Sequence, residues 1–251
     1  MIDKITPVII VKNAEGTIKR TLQSLSEFTE VVVYDNGSTD KTKEIVKFFK
    51  NVNLIEGDFL GFGPTKNKAA SYSKNKWVLS LDADEVLSDE FIVNLSKIDL
   101  DSSCVYRILR TNYYKKQQIK HCWGDDLIVR LYDTSKTNFC DNKVHEYIEE
   151  KNLKVIQLDG IVEHYPYNSI TDFIIKLDRY STIFADDNVG RKKSSPLKAI
   201  LNAKFSFFKT YFLKRGFLDG YAGLIIAFSH MATNFYKYIK LYELNQEQKC
   251  K

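Results

Sequence analysis

Short apolar runs alternate with amphipathic segments along the first hundred residues of the chain. The apolar runs, rich in β-branched residues, occur at 7–11, 31–34, 52–55 and 77–81. Segments with apolar residues at helical spacing lie between them, at 17–28, 38–49 and 67–73. Because strands alternate with helices here, the pattern predicts an α/β fold with a parallel, doubly wound sheet over residues 1–100.

The pattern changes after residue 100. Predicted strands at 105–114, 126–132 and 144–149 are separated by polar turns, which favours a small, partly antiparallel region over residues 101–166. From Ser169 onward the chain has helical periodicity throughout. We therefore expect a Rossmann-like, mostly parallel sheet with a small antiparallel part, followed by a helical extension over residues 167–251.

Composition supports a folded protein with a real core. The chain has 251 residues, of which 44% are hydrophobic and 27% charged, with 37 Lys and Arg against 32 Asp and Glu. Its four cysteines are far apart and form no CxxC pair, which argues against a zinc knuckle and favours reduced thiols. The first residues are a poor start for a signal peptide, and no apolar run approaches the ~20 residues that span a bilayer. These features predict a cytoplasmic protein.

The strongest chemical signal is a pair of carboxylates at the end of an apolar run. Asp82 and Asp84 follow Val78–Leu81, and strand alternation would place both on one side of the strand's carboxyl end. Hard oxygen donors suit Mg²⁺ or Mn²⁺, and such a cation suits a diphosphate. The alternative is two surface acids that cap a helix around Phe91.

Two other loops add possible ligand contacts. Asp35 ends the second predicted strand and can accept hydrogen bonds from a base or a ribose, while Gly37 permits the turn. A glycine-containing loop at 61–67 can approach a phosphate, which Lys66 can neutralise. The alternatives are a plain strand–turn–helix connection for the first loop and an ordinary flexible loop for the second.

Later acids are candidates for a general base. Asp125 and Asp126 precede a predicted strand that contains Arg130, although turn acids and a structural Arg–Asp pair explain them equally well. His145 and Glu146 are expected on opposite faces of another strand. His145 can complete a metal site or donate to a phosphate, and Glu146 is a second candidate base.

The helical extension has a basic, aromatic segment. Residues 191–215 contain eight Lys and Arg and no acid. Apolar residues on one helical face are flanked by lysines; the face carries Leu201, Phe205, Phe208 and Phe212, and the lysines are Lys198, Lys204 and Lys209. This pattern favours a helix at an anionic membrane surface, with packing on the main domain as the alternative. Since no nucleic-acid reader motif accompanies it, we expect no nucleic-acid partner.

Taken in order, these motifs resemble a known family. The segments 35–40, 61–67 and 82–85 resemble family 2 glycosyltransferases of the GT-A fold. Further features look like the lipopolysaccharide core β-1,4-glucosyltransferase family: Trp123, the spacing of Asp126 to Arg130-Leu131, 144–146, His164-Tyr165 and 216–220. The resemblance runs through nearly the whole chain.

The resemblance implies an inverting transfer from a UDP-sugar, commonly UDP-glucose, to an inner-core sugar of a lipid-anchored oligosaccharide. Residues 1–100 would bind the nucleotide sugar and residues 101–166 the acceptor, with the extension on the inner face of the cytoplasmic membrane. The implied donor-site residues are Asp35 for uracil, Asn36, Lys66, Asn67, Asp82 for ribose or metal, and Asp84 for Mg²⁺ or Mn²⁺.

The base is less well defined by the resemblance. Asp126 is the first choice. The family commonly has a proline before this acid, where this chain has Asp125, so Asp125 and Glu146 stay open as alternatives.

Two other functions compete with this interpretation. Residues 82–86 also satisfy the DxDx[TV] nucleophile motif of haloacid-dehalogenase phosphatases, in which Asp82 would attack phosphate. That motif follows three predicted strands rather than lying near the start of the chain, and it leaves Asp35 without a role. A non-enzymatic membrane-surface adaptor built on the basic segment is the third possibility.

Overall fold

The computed structural model describes residues 2–141, 146–150 and 152–249, which form two units. The first unit contains the chain up to Thr111 together with Asp125–Tyr165, and the second contains Asn112–Gly124 together with the chain from Pro166 onward. The second unit is therefore discontinuous in sequence, because a hairpin segment in the middle of the chain belongs to it.

The first unit is built around a mixed sheet. The strands of this sheet are β1 (Ile5–Val11), β2 (Val31–Asp35), β3 (Val52–Glu56), β4 (Trp77–Asp82), β5 (Glu85–Leu87), β6 (Cys104–Tyr114), β7 (Gln117–Gln118), β8 (Asp125–Asp133) and β9 (Lys154–Tyr167). Strand β7 and the last residues of β6 and β9 belong to the second unit. The strand order is β3-β2-β1-β4-β8-β6-β9-β5, with β7 paired to β6. Strands β1 to β4 pair in parallel, while β8 is antiparallel to both β4 and β6.

Helices connect the strands of this sheet. They are α1 (Ile18–Ser24), α2 (Thr42–Val46), α3 (Phe62–Ala70) and α4 (Asp89–Lys97). The central strands read as continuous apolar runs, and every residue of β2 is buried, as expected for a parallel sheet that is covered on both faces. Ile9, Leu79 and Phe91 are fully buried members of the resulting core.

The register of the parallel strands places two acidic residues at the same end of the sheet, where β2 and β4 have their carboxyl ends. Asp35 of β2 pairs with Val11 of β1, and Asp82 of β4 pairs with Ile10 of the same strand. Adjacent strands lie about 4.8 Å apart, so β2 and β4 are separated by roughly 10 Å across β1. The strand order reverses direction at β1, and ligands of open α/β sheets bind outside the carboxyl ends of strands at such a point.

The second unit is largely helical. It contains α5 (Ile170–Asn188), α6 (Pro196–Phe208) and α7 (Gly220–Lys249), with a π-helical turn at Lys209–Leu213 and a 3-10 turn at Gly216–Asp219. The buried carboxylate of Asp219 accepts hydrogen bonds from the backbone N–H groups of residues 120–122 and contacts His121 Nδ1 at 2.9 Å. Asp219 therefore joins the hairpin segment of this unit to the start of α7.

The predicted fold class is confirmed, including the helical extension, but three local predictions were wrong. Helix α3 begins at Phe62, so the predicted loop at 61–67 is mostly helix, and only Gly61, with φ of 105°, precedes it. Residues 146–149 form no strand; Ile148 makes an isolated bridge to Phe139. The 14-residue strand β9 was not predicted, because charged residues and Gly160 interrupt its alternation.

Candidate active site

Asp35 shapes a tight turn at the end of β2. Its Oδ1 accepts hydrogen bonds from the backbone N–H groups of Gly37 at 3.0 Å and Ser38 at 2.8 Å, and Gly37 has φ of 88°. Its Oδ2 is buried and has no hydrogen-bond partner among the residues that the structure describes. A buried carboxylate oxygen without a partner is costly, so this atom is a candidate acceptor for a ligand.

Lys66 bridges two carboxylates, Asp82 at the end of β4 and Glu146. This lysine lies inside α3, is 3% exposed, and donates to Asp82 Oδ1 at 3.1 Å and to Glu146 Oε1 at 3.0 Å. Its ammonium also lies 5.1 Å from the centre of the Phe139 ring. Lys66 is thus held near the end of the strand by two carboxylates.

Two arginines complete a continuous set of ion pairs. Arg130 of β8 donates to Asp82 Oδ2 at 2.8 Å and contacts Glu85 Oε1 at 3.3 Å. Arg110 of β6 donates to Glu85 Oε1 at 3.1 Å and to Asp126 Oδ2 at 2.9 Å.

We refer to this set of contacts as the ion-pair chain. In order of contact, its members are Glu146, Lys66, Asp82, Arg130, Glu85, Arg110 and Asp126. Two of the three candidate bases, Glu146 and Asp126, therefore occupy its opposite ends. Among these side chains four are acidic and three basic, so the chain carries a formal charge of −1.

The ion pairs shift the pKa values of the buried members. Burial by itself would raise the pKa of Asp82, but Arg130 and Lys66 outweigh it and hold that pKa far below its usual range. Burial by itself would lower the pKa of Arg130, but Asp82 and Glu85 raise it well above its usual value. Arg110 shifts in the same direction, chiefly because of Glu85. Since buried charges are expensive to maintain, such a cluster at the end of strands is a candidate functional site.

Asp84 differs from Asp82 in its surroundings. Its side chain is partly exposed and lies 3.6 Å from His164 Nε2. Both oxygens of Asp82, in contrast, accept hydrogen bonds from cations.

This difference bears on how a divalent cation would be held. No group of three His, Cys, Asp or Glu residues able to hold a metal occurs within residues 2–141, 146–150 and 152–249. Mg²⁺ is usually held by one or two carboxylates together with substrate phosphates, and Asp84 fits that arrangement. The role of Asp82 as a ligand stays a prediction. His145 lies outside the described residues.

A cavity of about 400 Å³ opens beside the ion-pair chain. Its walls include Asp82, Arg110, Arg130 and Glu146, together with the ring of Tyr147, which is more than half exposed. The lining combines these charged side chains with the aromatic rings of Phe139 and Tyr147, which suits a sugar.

The other predicted site residues have different surroundings. The amide of Asn67 donates to the backbone C=O of Phe139 and accepts from its N–H, both at 2.9 Å, so this side chain anchors Phe139. Its contact with a nucleotide sugar stays a prediction. Asn36 has a buried Oδ1 without a partner within the described part of the chain. Asp125 is exposed at the start of β8.

Sequence reasoning missed the roles of Glu85 and Arg110 in this cluster. Glu85 follows Asp82 by three residues, and the turn between them brings its carboxylate back to the Asp82 backbone N–H. Arg110 lies on β6, whose pairing with β8 places it opposite Asp126. The opposite charges of Arg110 and Asp126 are a signal that could have suggested this pairing once the two strands are taken as neighbours, whereas Glu85 has no such signal.

Comparisons with known proteins identify the family. The model of glycosyl transferase family 2 matches residues 6–152. An uncharacterised glycosyltransferase of Rickettsia typhi is 32% identical over 96% of this chain and 88% of that protein. The lipopolysaccharide core biosynthesis glycosyltransferase LpsC of Rhizobium meliloti is 26% identical over 94% of this chain and 90% of that protein. The chain belongs to glycosyl transferase family 2, which decides against the phosphatase alternative.

A solved structure is also similar. S. aureus TarS in complex with UDP-GlcNAc aligns with a TM-score of 0.47 and 16% sequence identity, covering 98% of this chain and 92% of that one.

Proposed function

We propose that this glycosyltransferase moves a hexose, with glucose as the first candidate, from a UDP-sugar to an inner-core sugar of lipopolysaccharide or lipooligosaccharide, with inversion. The observation that carries the donor assignment is the unpartnered, buried Oδ2 of Asp35, two strands from Asp82. The similarity to LpsC supports the acceptor class.

The geometry suits transfer by direct displacement. Asp35 Oδ2 would accept from the uracil N–H, and Asp84 would hold Mg²⁺ or Mn²⁺. When bound, that cation supplies positive charge against the departing UDP. Lys66 and Arg130 would add local positive charge there, which their carboxylate partners Asp82, Glu85 and Glu146 partly offset. Asp126 would take the proton of an acceptor hydroxyl as the hydroxyl attacks the anomeric carbon from the opposite face, so an α-linked donor gives a β product.

A screen of nucleotide sugars tests this proposal. Purified protein is incubated with UDP-glucose, UDP-galactose or UDP-GlcNAc, Mn²⁺ or Mg²⁺, and truncated lipooligosaccharide, and the lipid-linked glycan is weighed by mass spectrometry. We expect a gain of one hexose with a UDP donor. Binding to lipid without any transfer, unaffected by Asp84→Ala, would favour the membrane adaptor instead.

Replacing Asp35 by asparagine should weaken UDP binding. The amide oxygen can keep the bonds to Gly37 and Ser38, but an NH₂ group then faces the uracil N–H and the carboxylate acceptor is lost. Losing a buried hydrogen bond of this kind costs about 1–3 kcal/mol, so we expect UDP affinity to fall roughly 10- to 100-fold in calorimetry. Asp40→Asn, in the same turn, is the matched control. Equal UDP affinity of Asp35→Asn and wild type would exclude this contact.

The acceptor class also requires access to a lipid surface, and α6 supports such a proposal. This helix buries its small residues Ala199 and Ala203 and exposes its large apolar ones, with Phe205 60% and Phe208 49% exposed. The predicted lysines lie on the same helix and turn. In the part of the chain that the structure describes, no helix combines the length and apolar character needed to cross a bilayer.

We therefore propose that α6 and the following turn lie in the headgroup region of an anionic membrane, with the aromatic rings inserted and the lysines near lipid phosphates. A solvated apolar helix face of this kind is unfavourable in water, and its burial in lipid would offset that cost. The inner face of the cytoplasmic membrane is the location that a nucleotide-sugar donor and a lipid-anchored acceptor share.

The double variant Phe205→Ser/Phe208→Ser should bind membranes less well. Each half-exposed ring contributes roughly 1 kcal/mol on insertion, so together their loss should weaken binding about 30-fold. The measurement is sedimentation with vesicles containing anionic lipid, at low and high salt. Phe48→Ser/Val93→Ser, which removes two exposed apolar side chains from the first unit, is the control. Equal sedimentation of both double variants would contradict the role of α6.

A further inference from the structure

Glu85 is a buried carboxylate to which the proposed function gives no role. It begins β5, its side chain is fully buried, and its side-chain hydrogen bonds within the described residues are to groups of the candidate site. Oε1 accepts from Arg110 at 3.1 Å and contacts Arg130 at 3.3 Å, while Oε2 accepts from the backbone N–H of Asp82 at 2.9 Å.

A charge in this position is costly for stability. A fully buried carboxylate is desolvated, and apolar replacements of buried ion pairs are often neutral or stabilising. Because Glu85 is fully buried, it is not placed to contact a substrate. Any contribution to the reaction must therefore pass through the groups that it holds.

The two arginines that Glu85 holds contact residues from both halves of the proposed reaction, the base that meets the acceptor and the site of the sugar donor. The other end of the Arg110 guanidinium holds Asp126, the first candidate for the base, at 2.9 Å. The other contact of Arg130 is Asp82, at 2.8 Å, and Asp82 in turn holds Lys66. Glu85 is the buried carboxylate that contacts both arginines, and it links Asp126 to Asp82 alongside a longer contact of 3.8 Å between Arg110 and Asp82 Oδ2.

We propose that Glu85 is a positioning residue for the transfer, an inference that rests on the proposed function. By fixing Arg110, it fixes which oxygen of Asp126 is tied down and so orients the other oxygen toward the acceptor hydroxyl. By holding Arg130 and the backbone of Asp82, it fixes the position of the Asp82–Asp84 turn relative to the donor diphosphate. The base and the leaving group are thereby held in a fixed position relative to each other.

Glu85→Gln tests the proposal, because it keeps the shape of the side chain and removes its charge. With Asp126 no longer oriented, we expect kcat to fall about 100-fold, as misplacement of a reacting group by about 1 Å does. The KM for UDP-glucose should change less than roughly fivefold, since Asp35 and Asp84 are unaltered. Glu85→Asp keeps the charge on a shorter side chain, so we expect it to recover about tenfold of the lost kcat and to remain about tenfold below wild type.

A matched substitution separates positioning from stability. Glu30 is also buried, accepts hydrogen bonds from Thr6 and the Lys74 backbone N–H, and lies just before β2, at the opposite ends of the parallel strands from the site. Glu30→Gln should lower the melting temperature to a similar extent as Glu85→Gln while keeping kcat within about twofold of wild type. An equal loss of kcat in the two variants would overturn the proposal.

A double variant tests the route of the effect. If Glu85 acts through Arg110 and Asp126, then Glu85→Gln should reduce kcat little further in an Asp126→Asn background. Independent, multiplicative losses would overturn the coupling. Should Glu85→Gln fail to fold, Glu85→Asp decides: a kcat loss of about tenfold at unchanged KM supports positioning, and wild-type kcat overturns it.

Measuring transfer by the wild-type protein separates failure of the Glu85 positioning role from failure of the proposed function. Transfer by the wild type together with an unaffected Glu85→Gln variant removes the positioning role alone. Absence of transfer from every nucleotide sugar removes the proposed function, and the positioning role with it.

Discussion

Asp84→Asn is expected to reduce transfer by at least roughly 100-fold while leaving the fold intact. A divalent cation at a departing diphosphate contributes several kcal/mol, and the amide that replaces Asp84 is a much weaker ligand. The fold should survive, because the side chain is partly exposed and its Oδ2 lies 3.6 Å from His164 Nε2. The measurement is UDP release as Mn²⁺ is titrated, compared with the melting temperature of each variant.

Asp89→Asn provides the control for this prediction. Asp89 is an exposed carboxylate in the first turn of α4, a few residues further along the chain. It should keep wild-type turnover and the same Mn²⁺ dependence. Full activity of Asp84→Asn in the presence of a chelator would refute the metal role of this residue.

Asp126→Asn is expected to lose turnover by roughly 10²- to 10⁴-fold while retaining UDP affinity, because a general base contributes about that much. Its side chain is 45% exposed, and Arg110 holds only Oδ2. Glu146 is 19% exposed and is tied to Lys66, on the donor side. The geometry thus favours Asp126 as the group that meets an acceptor.

Glu146→Gln and Asp125→Asn test the two alternative assignments of the base. All three variants are compared by kcat with saturating donor and by UDP affinity. We expect Glu146→Gln to act mainly on donor KM through Lys66, and Asp125→Asn to lose far less turnover than Asp126→Asn. If Glu146→Gln instead loses turnover with normal UDP affinity, the base has been assigned to the wrong end of the ion-pair chain.

The sequence predicted the parallel half of the sheet well, for a physical reason. Strands β1, β2 and β4 are almost entirely buried, so their sequences are apolar runs that differ clearly from the amphipathic helices between them. Strand β9 has no such signal, since most of its first half is exposed. Helix α3 was predicted too short because Gly63 and Pro64 suggest a loop, whereas proline is tolerated in the first turn of a helix.

The candidate site was predicted residue by residue, but its connections were not. Spacing along the chain indicated Asp35, Asp82 and the later acids, because each follows or begins a strand. The ion pairs depend on strand order instead. Arg110 of β6 reaches Asp126 because β8 pairs with β6, and it also reaches Glu85 at the start of β5, which is distant along the chain. No local sequence pattern encodes this strand order.

The discontinuous second unit has a practical consequence for shortening the protein. Removing everything after Tyr165 would leave Asn112–Gly124 in the protein. The buried side chains of Tyr114 and Ile119 would then be exposed, because the helices of the second unit that pack on them would be missing. The amides of residues 120–122 would also lose the carboxylate of Asp219. A catalytic fragment intended for expression would need this hairpin replaced by a short polar loop, or it would be prone to aggregate before any enzymology could be done.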